Sequence, residues 1–177
     1  MQHEVLAFWF DEVSSSRWFT PDPALDAIVR ERFGPLHARA VAGELPHWRR
    51  SAVGRLAEVI VLDQFSRNLH RGTAAAFAAD GMALVLAQEA IAAGCDAQLP
   101  RAQRIFFYLP YMHSESAAIH ALAVPLFESI GGQTLEFELR HKAIIDRFGR
   151  YPHRNVMLGR ESTAAERAFL ATPGSAF

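Results

Sequence analysis

The chain has 177 residues, half of them apolar and 21% charged, with a net charge of −1; that suits one globular domain, 1–177, able to bury a core without disulfides or a structural metal. Near-neutral charge argues against nucleic acid or a membrane surface as partner. A single cysteine, Cys95, rules out an internal disulfide, and with no basic leader at Met1-Gln2-His3-Glu4 and no stretch that reads as a membrane span, the expected address is the cytoplasm.

Val5, Leu6, Phe8, Trp9 and Phe10 crowd one short segment, as in a helix sunk into a core, and Ser14-Ser15-Ser16 end it. Asp22-Pro23 reads as an N-cap with proline at the first helical position, followed by Leu25, Ile28, Val29 and Phe33 at helical spacing. Gly34-Pro35 is expected to stop or bend that helix. Residues 52–66 leave no polar face and predict a central helix. Gly72-Thr73 opens an alanine-rich helix that closes at Gly94, and the next runs from Pro100 until Pro110 ends it. Ser114 is placed to cap a helix with the stripe Ile119, Leu122, Leu126 and Ile130, kinked at Pro125. A helix over roughly 134–149 follows, with Phe137, His141, Ile144 and Phe148 on one face and Glu136 and Glu138 in its first turn. Thr163-Ala164-Ala165-Glu166 is a capping box for a last short helix. No strand-period segment intervenes, so the expected fold is all-α, built of antiparallel helical hairpins.

Positive charge is concentrated late in the chain. Residues 140–160 carry Arg140, Lys142, Arg147, Arg150, Arg154 and Arg160 against Asp146 alone, a net +5, which leaves the remainder at −6. Such a block points to an anionic partner or to a buried ion-pair network. Two loops share the spacing Arg-Asn-x-x-x-Gly, from Arg67 to Gly72 and from Arg154 to Gly159, which reads as an arginine reaching inward before a cap for the next helix.

Asp63 and Arg67, four apart with the acid first, have the favourable order for a helical ion pair. The plain reading is a structural pair; the functional one is that Arg67 or Arg71 presents a guanidinium fork to a carboxylate or phosphate. His113, Glu115, His141 and His153 include metal-ligand types, but no ligand spacing joins them and nearby arginines repel a cation, so no metal is expected. Cys95 at a helix C-terminus is a poor nucleophile. Ser66 and Ser114 lack the Gly-x-Ser-x-Gly elbow of acyl transfer, and no cofactor motif is present.

Phe8-Trp9-Phe10, Leu62-Asp63-Gln64-Phe65-Ser66-Arg67-Asn68, Leu109-Pro110-Tyr111-Met112-His113-Ser114-Glu115 and Arg147-Phe148-Gly149-Arg150-Tyr151-Pro152-His153-Arg154-Asn155 together resemble one bacterial family, domain-of-unknown-function family 924, over nearly the whole chain. The resemblance implies helical hairpins stacked as a compact tetratricopeptide-like bundle and implies no activity. Tyr151 stands where phenylalanine is expected, and Pro125 disturbs a helix expected to be smooth.

The leading functional expectation is a small anionic ligand in a concave, arginine-rich pocket drawn from Asp63, Arg67, Asn68, Arg71, His113, Glu115, His141, Arg147, Arg150, His153, Arg154 and Asn155, with Asp63 and Glu115 orienting the arginines. One alternative is a hydrolase using His113 or His153 as general base in the same pocket. The other is a tetratricopeptide-like module that binds a protein partner through a peptide carboxylate.

Overall fold

The computed structural model describes residues 1–175, and these are helical or in turns with no strand among them, so the chain is all-α. Residues 176 and 177 of the expected span lie outside the described part. The helices gather into two compact units, Met1–Arg71 with Ala75–Pro110, and Gly72–Ala74 with Tyr111–Phe177.

In the first unit α1 (Gln2–Ala7) runs into a π-helical turn at Phe8–Glu12, followed by α2 (Pro23–Val41) and α3 (Ala52–Ile60). A second π turn, Val61–Phe65, joins α3 to α4 (Ser66–Leu69); α5 (Asp80–Ala92) follows, and α6 (Arg101–Met112) belongs to this unit as far as Pro110. The aromatic motif near the start is core: the Phe8 ring lies 4.9 Å from Phe33, Phe33 lies 5.0 Å from Phe65, and Trp9 lies 5.6 Å from Phe65. Every residue from Leu56 to Ser66 is buried, as a helix without a polar face requires.

Gly54 is where α3 meets the 3₁₀ turn Pro46–Arg50. A Cβ there would stand 2.1 Å from the Trp48 carbonyl oxygen and 2.7 Å from Gln2 Oε1. Because one obstacle is backbone, Gly54→Ala is expected to destabilise the protein by about 3 kcal/mol, the upper end of overpacking costs. A denaturant midpoint within error of wild type would show that the turn yields freely.

The second unit contains α7 (Ala117–Ile130), α8 (Gly132–Phe148), a 3₁₀ turn at Pro152–Arg154 and α9 (Ala164–Leu170). α7 and α8 pack together as a hairpin, linked at Gly131, whose φ of 68° suits glycine. α8 stops at Gly149, φ 69°, in the left-handed conformation.

Several helix ends follow their sequence signals. Asp22 Oδ1 accepts hydrogen bonds from the amides of Ala24 and Leu25, with Pro23 opening α2, and Thr163 with Glu166 forms the reciprocal capping box of α9.

Other expectations are corrected. Pro110 does not end its helix, since α6 continues to Met112, and Pro35 does not stop α2, which continues to Val41; Pro125 lies inside α7, as its place in the stripe to Ile130 implied. Ser114 does not cap α7: Ser116 holds that position, and the Ser114 carbonyl instead accepts a hydrogen bond from His120. α8 begins at Gly132, so Glu138 lies mid-helix and fully buried rather than in a first turn. The alanine-rich element starts as a 3₁₀ turn at Ala74–Phe77 and becomes α-helical only at Asp80. The run Ala74–Ala92, 19 residues with a mean hydropathy of 1.4, is by length and composition long and apolar enough to cross a membrane, which the sequence reading missed. It carries Asp80, which is paired with Arg67.

Candidate functional site

The π turn at Val61–Phe65 sets the polar chemistry of the first unit. A π turn inserts an extra residue and shifts the backbone hydrogen-bond pattern, and two side chains reach back to the carbonyls here. Ser66 Oγ donates to the Leu62 oxygen at 2.6 Å, and Arg67 Nη1 donates to the Asp63 oxygen at 2.7 Å. Asp63, 1% exposed, accepts from Gln64 Nε2 at 2.6 Å and pairs with Arg67 at 3.0 Å. Arg67 also grips both oxygens of Asp80, at 3.0 and 3.1 Å. Burial works against its charge, but the two carboxylates outweigh burial and raise its pKa.

Asn68 and Arg71 converge on Asp26. The amide donates at 2.8 Å and the guanidinium binds bidentately at 2.7 and 2.8 Å. Burial pushes the Asp26 carboxyl up, and these donors more than reverse it. His37 Nε2 lies 2.8 Å from Ser66 Oγ, a geometry that resembles a nucleophile and its base. Hydrogen-bond direction excludes that role. The one hydroxyl proton of Ser66 goes to the Leu62 carbonyl, so the His37 nitrogen donates to Ser66 rather than drawing a proton from it.

In the second unit Tyr151, fully buried, is the hub. Its amide donates to Glu115 Oε1 at 2.6 Å and its hydroxyl to the Met112 carbonyl at 2.6 Å. Around its ring lie His141 at 5.7 Å, His153 at 5.5 Å and the Arg154 guanidinium at 4.6 Å from the centroid. Glu115 receives both terminal nitrogens of Arg160, at 2.6 and 2.9 Å. Arg160 Nε in turn donates to Asn155, fully buried, whose amide donates to Ser162. Burial opposes the charge of Glu115, and the Arg160 and Tyr151 donors hold its pKa below the usual range nonetheless.

His120 and Glu138, both fully buried, join α7 to α8 through a 2.7 Å contact between Nδ1 and Oε1. His120 Nε2 lies 3.0 Å from the Ser114 carbonyl and 3.0 Å from the Tyr151 hydroxyl, whose proton is already given to Met112. Carbonyls only accept, so Nε2 carries a proton. A neutral ring then has a bare Nδ1, and the contact with Glu138 holds one proton, on either carboxyl or imidazole. The pair is neutral overall, the form that burial favours. Glu138 Oε2 makes no hydrogen bond among the described residues, and burial raises the carboxyl pKa despite His120.

Burial holds His141 at about 3 and His153 at about 4, against a usual 6.5, with the Arg154 charge adding to the effect in both. His113, half-buried, contributes to the field at both rings. Among the described residues no three histidine, cysteine, aspartate or glutamate side chains gather as a metal site.

The late cationic block is mostly committed. Lys142 pairs with Asp146, Arg160 with Glu115, and Arg150 with both oxygens of Glu166 at 2.6 and 2.9 Å. Arg150 and the Thr163 amide bring Glu166 down to about 2. Arg147 differs: it is exposed, stacked 4.6 Å over the Phe148 ring, and within ion-pair reach of no carboxylate among the described residues. It lines a cleft of about 470 Å³ with Phe148, Arg150, Thr163, Ala165 and Glu166.

The expected site residues thus fall within the units as follows. Asp63, Arg67, Asn68 and Arg71 lie in the first; His113, Glu115, His141, Arg147, Arg150, His153, Arg154 and Asn155 lie in the second. Sequence reasoning took Arg160 for bulk charge and passed over His120, although a histidine in so apolar a helix must be partnered when buried. It also paired neither Arg150 nor Arg160 with its carboxylate, because Glu166 and Glu115 lie 16 and 45 residues away.

Fold and polar chemistry define an all-helical protein whose helix ends are locked by arginine–carboxylate pairs. The chain belongs to the family described as bacterial protein of unknown function (DUF924), whose sequence model matches residues 5–174. It is similar to the solved structure of the protein of unknown function ATU0120 from Agrobacterium tumefaciens, with 39% identity, 96% of each chain covered and a TM-score of 0.93. No curated protein matches the chain.

Proposed function

We propose that the protein binds a small anion in the cleft lined by Arg147, Phe148, Arg150, Thr163, Ala165 and Glu166. The observation that carries this reading is Arg147, a guanidinium on the cleft wall with no carboxylate partner among the described residues, beside cations that are already neutralised. Arginine suits planar or tetrahedral oxyanions through its fork of donors. Arg67, Arg71 and Arg160 spend theirs on Asp63, Asp80, Asp26 and Glu115. The cytoplasm is the setting taken with this reading, with Cys95 a buried free thiol.

The hydrolase alternative has less support. Of its two candidate bases, His113 and His153, the second is held near 4, so it is neutral at pH 7 but too weakly basic to take a proton efficiently.

A thermal melt with acetate, sulfate or inorganic phosphate, each matched to chloride in ionic strength, tests the reading. At a hundredfold excess over Kd a ligand of the folded state contributes about 2.7 kcal/mol, a rise in Tm of about 5–10 °C for a chain of this size. The rise is expected in wild type and absent in Arg147→Ala, a substitution at an exposed residue that leaves the fold intact. Equal shifts for every salt, or a rise unchanged in Arg147→Ala, would count against the cleft.

A further inference from the structure

The cleft's charge and donor inventory narrows its ligand. Arg147 and Arg150 bring two positive charges and Glu166 one negative, so the wall carries a net +1. Glu166 cannot relax away from this role. Its Oε1 accepts from Arg150 Nε, its Oε2 from Arg150 Nη2 and the Thr163 amide, and it stays ionised throughout the neutral range.

What remains for a ligand is also countable. Arg150 uses Nε and Nη2 on Glu166 and Nη2 on the Glu161 carbonyl, which leaves Nη1. Thr163 Oγ1 accepts from the Glu166 amide, so its hydroxyl proton is available to donate. Arg147 makes no hydrogen bond among the described residues, and its whole fork is available. The other walls, Phe148 and Ala165, are apolar, and Phe148 is backed by Phe169 at 5.1 Å.

We propose that the cleft selects an organic monocarboxylate with an apolar body over phosphate or sulfate. This rests on the anion-binding reading of the same cleft. A carboxylate meets the Arg147 fork in a bidentate pair and matches the net +1 wall, whereas a dianion must also face the fixed charge of Glu166. An apolar body covers Phe148 and Ala165 and gains hydrophobic burial that an inorganic ion cannot. The volume of about 470 Å³ accommodates a small molecule rather than a bare ion, within the usual 300–1,000 Å³ of ligand pockets. The same chemistry is offered by a free acid and by the C-terminus of a peptide ending in an apolar residue.

Calorimetric titration at pH 7.5 with hexanoate, acetate, inorganic phosphate, N-acetyl-Gly-Leu and its C-terminal amide separates these cases. Hexanoate is expected to bind at least tenfold more tightly than phosphate and more tightly than acetate, with all binding lost in Arg147→Ala and weakened in Arg147→Lys, which keeps the charge but not the fork. N-acetyl-Gly-Leu binding above hexanoate, with the amide silent, identifies a peptide C-terminus as the source; the reverse order identifies a free acid. Phosphate binding as tightly as hexanoate, with loss in Arg147→Ala, overturns the carboxylate selection and leaves anion binding standing. If no anion shows a signal that depends on Arg147, both proposals fall.

Discussion

Acidification from pH 7.5 to pH 5 is expected to remove about 4 kcal/mol of stability, through two histidines of the second unit, His141, which is buried, and His153, which is half-buried. His141 and His153 have folded-state pKa values of about 3 and about 4 against 6.5 for the free side chain, chiefly because burial disfavours the imidazolium. A depressed histidine pKa means that the unfolded chain binds more protons below pH 6.5. Stability is therefore full above that pH and falls as pH drops toward the folded values. At pH 5 each ring accounts for about 2 kcal/mol, from about 1.4 kcal/mol per pH unit over 1.5 units. Most neighbours reinforce the direction: His141 faces His113, His120 and Arg154 with the Phe137 carbonyl opposing at 2.7 Å, and His153 faces Arg154, Arg160 and His113 with Glu115 opposing. Carboxylates such as Glu115 and Glu166, whose pKa values are lowered, add their own losses only below about pH 4.5. Urea midpoints measured at half-unit steps check this, and a double His141→Gln, His153→Gln variant should flatten the curve between pH 6.5 and 5. An unchanged slope in that variant would place the proton uptake elsewhere.

Asp63→Ala is expected to destabilise the protein by about 3 kcal/mol, the lower end for breaking a buried ion pair. The carboxylate is 1% exposed and serves both the Gln64 amide and Arg67. Its removal strands the buried Gln64 amide and takes one of two counter-charges from the half-buried Arg67 guanidinium. The loss stays near the lower end because Asp80 retains its bidentate hold on Arg67. For a chain of this size the drop in Tm should be about 6–12 °C. Asp80→Ala, with a partly exposed carboxylate, should cost less, since the Asp63 pair is the better shielded one. The reverse ranking would show that Asp80, not Asp63, anchors Arg67.

Legibility varied with the range of the interaction. Asp22-Pro23, the Thr163 capping box and the glycine after α8 were readable because each works within one helical turn. The Asp63–Arg67 pair was readable for the same reason, at a spacing of four. One proline misled: Pro110 sits within α6, where surrounding packing overrides the local preference. The π turn at Val61–Phe65 left no mark in the periodicity, since inserting one residue into a segment buried on all sides leaves it buried on all sides. The Arg-Asn-x-x-x-Gly echo held in part: Arg67 and Arg154 turn inward and Gly72 and Gly159 have φ of 77° and 65°, but a side-chain cap follows only at Thr163, since α5 has Ala79 at its N-cap position.

By itself, then, the sequence determined that the chain is helical, where several helices begin and end, and that positive charge gathers late. These follow from propensities and side chains acting on their own backbone. Only the tertiary structure decided which charges are spent. Arg150 and Arg160 are matched by carboxylates brought from 16 and 45 residues away, His120 by Glu138 on the next helix, and Arg147 by none among the described residues. A charge's partner depends on which helix faces pack together, and that is fixed by hydrophobic burial summed over a whole unit rather than by any local pattern.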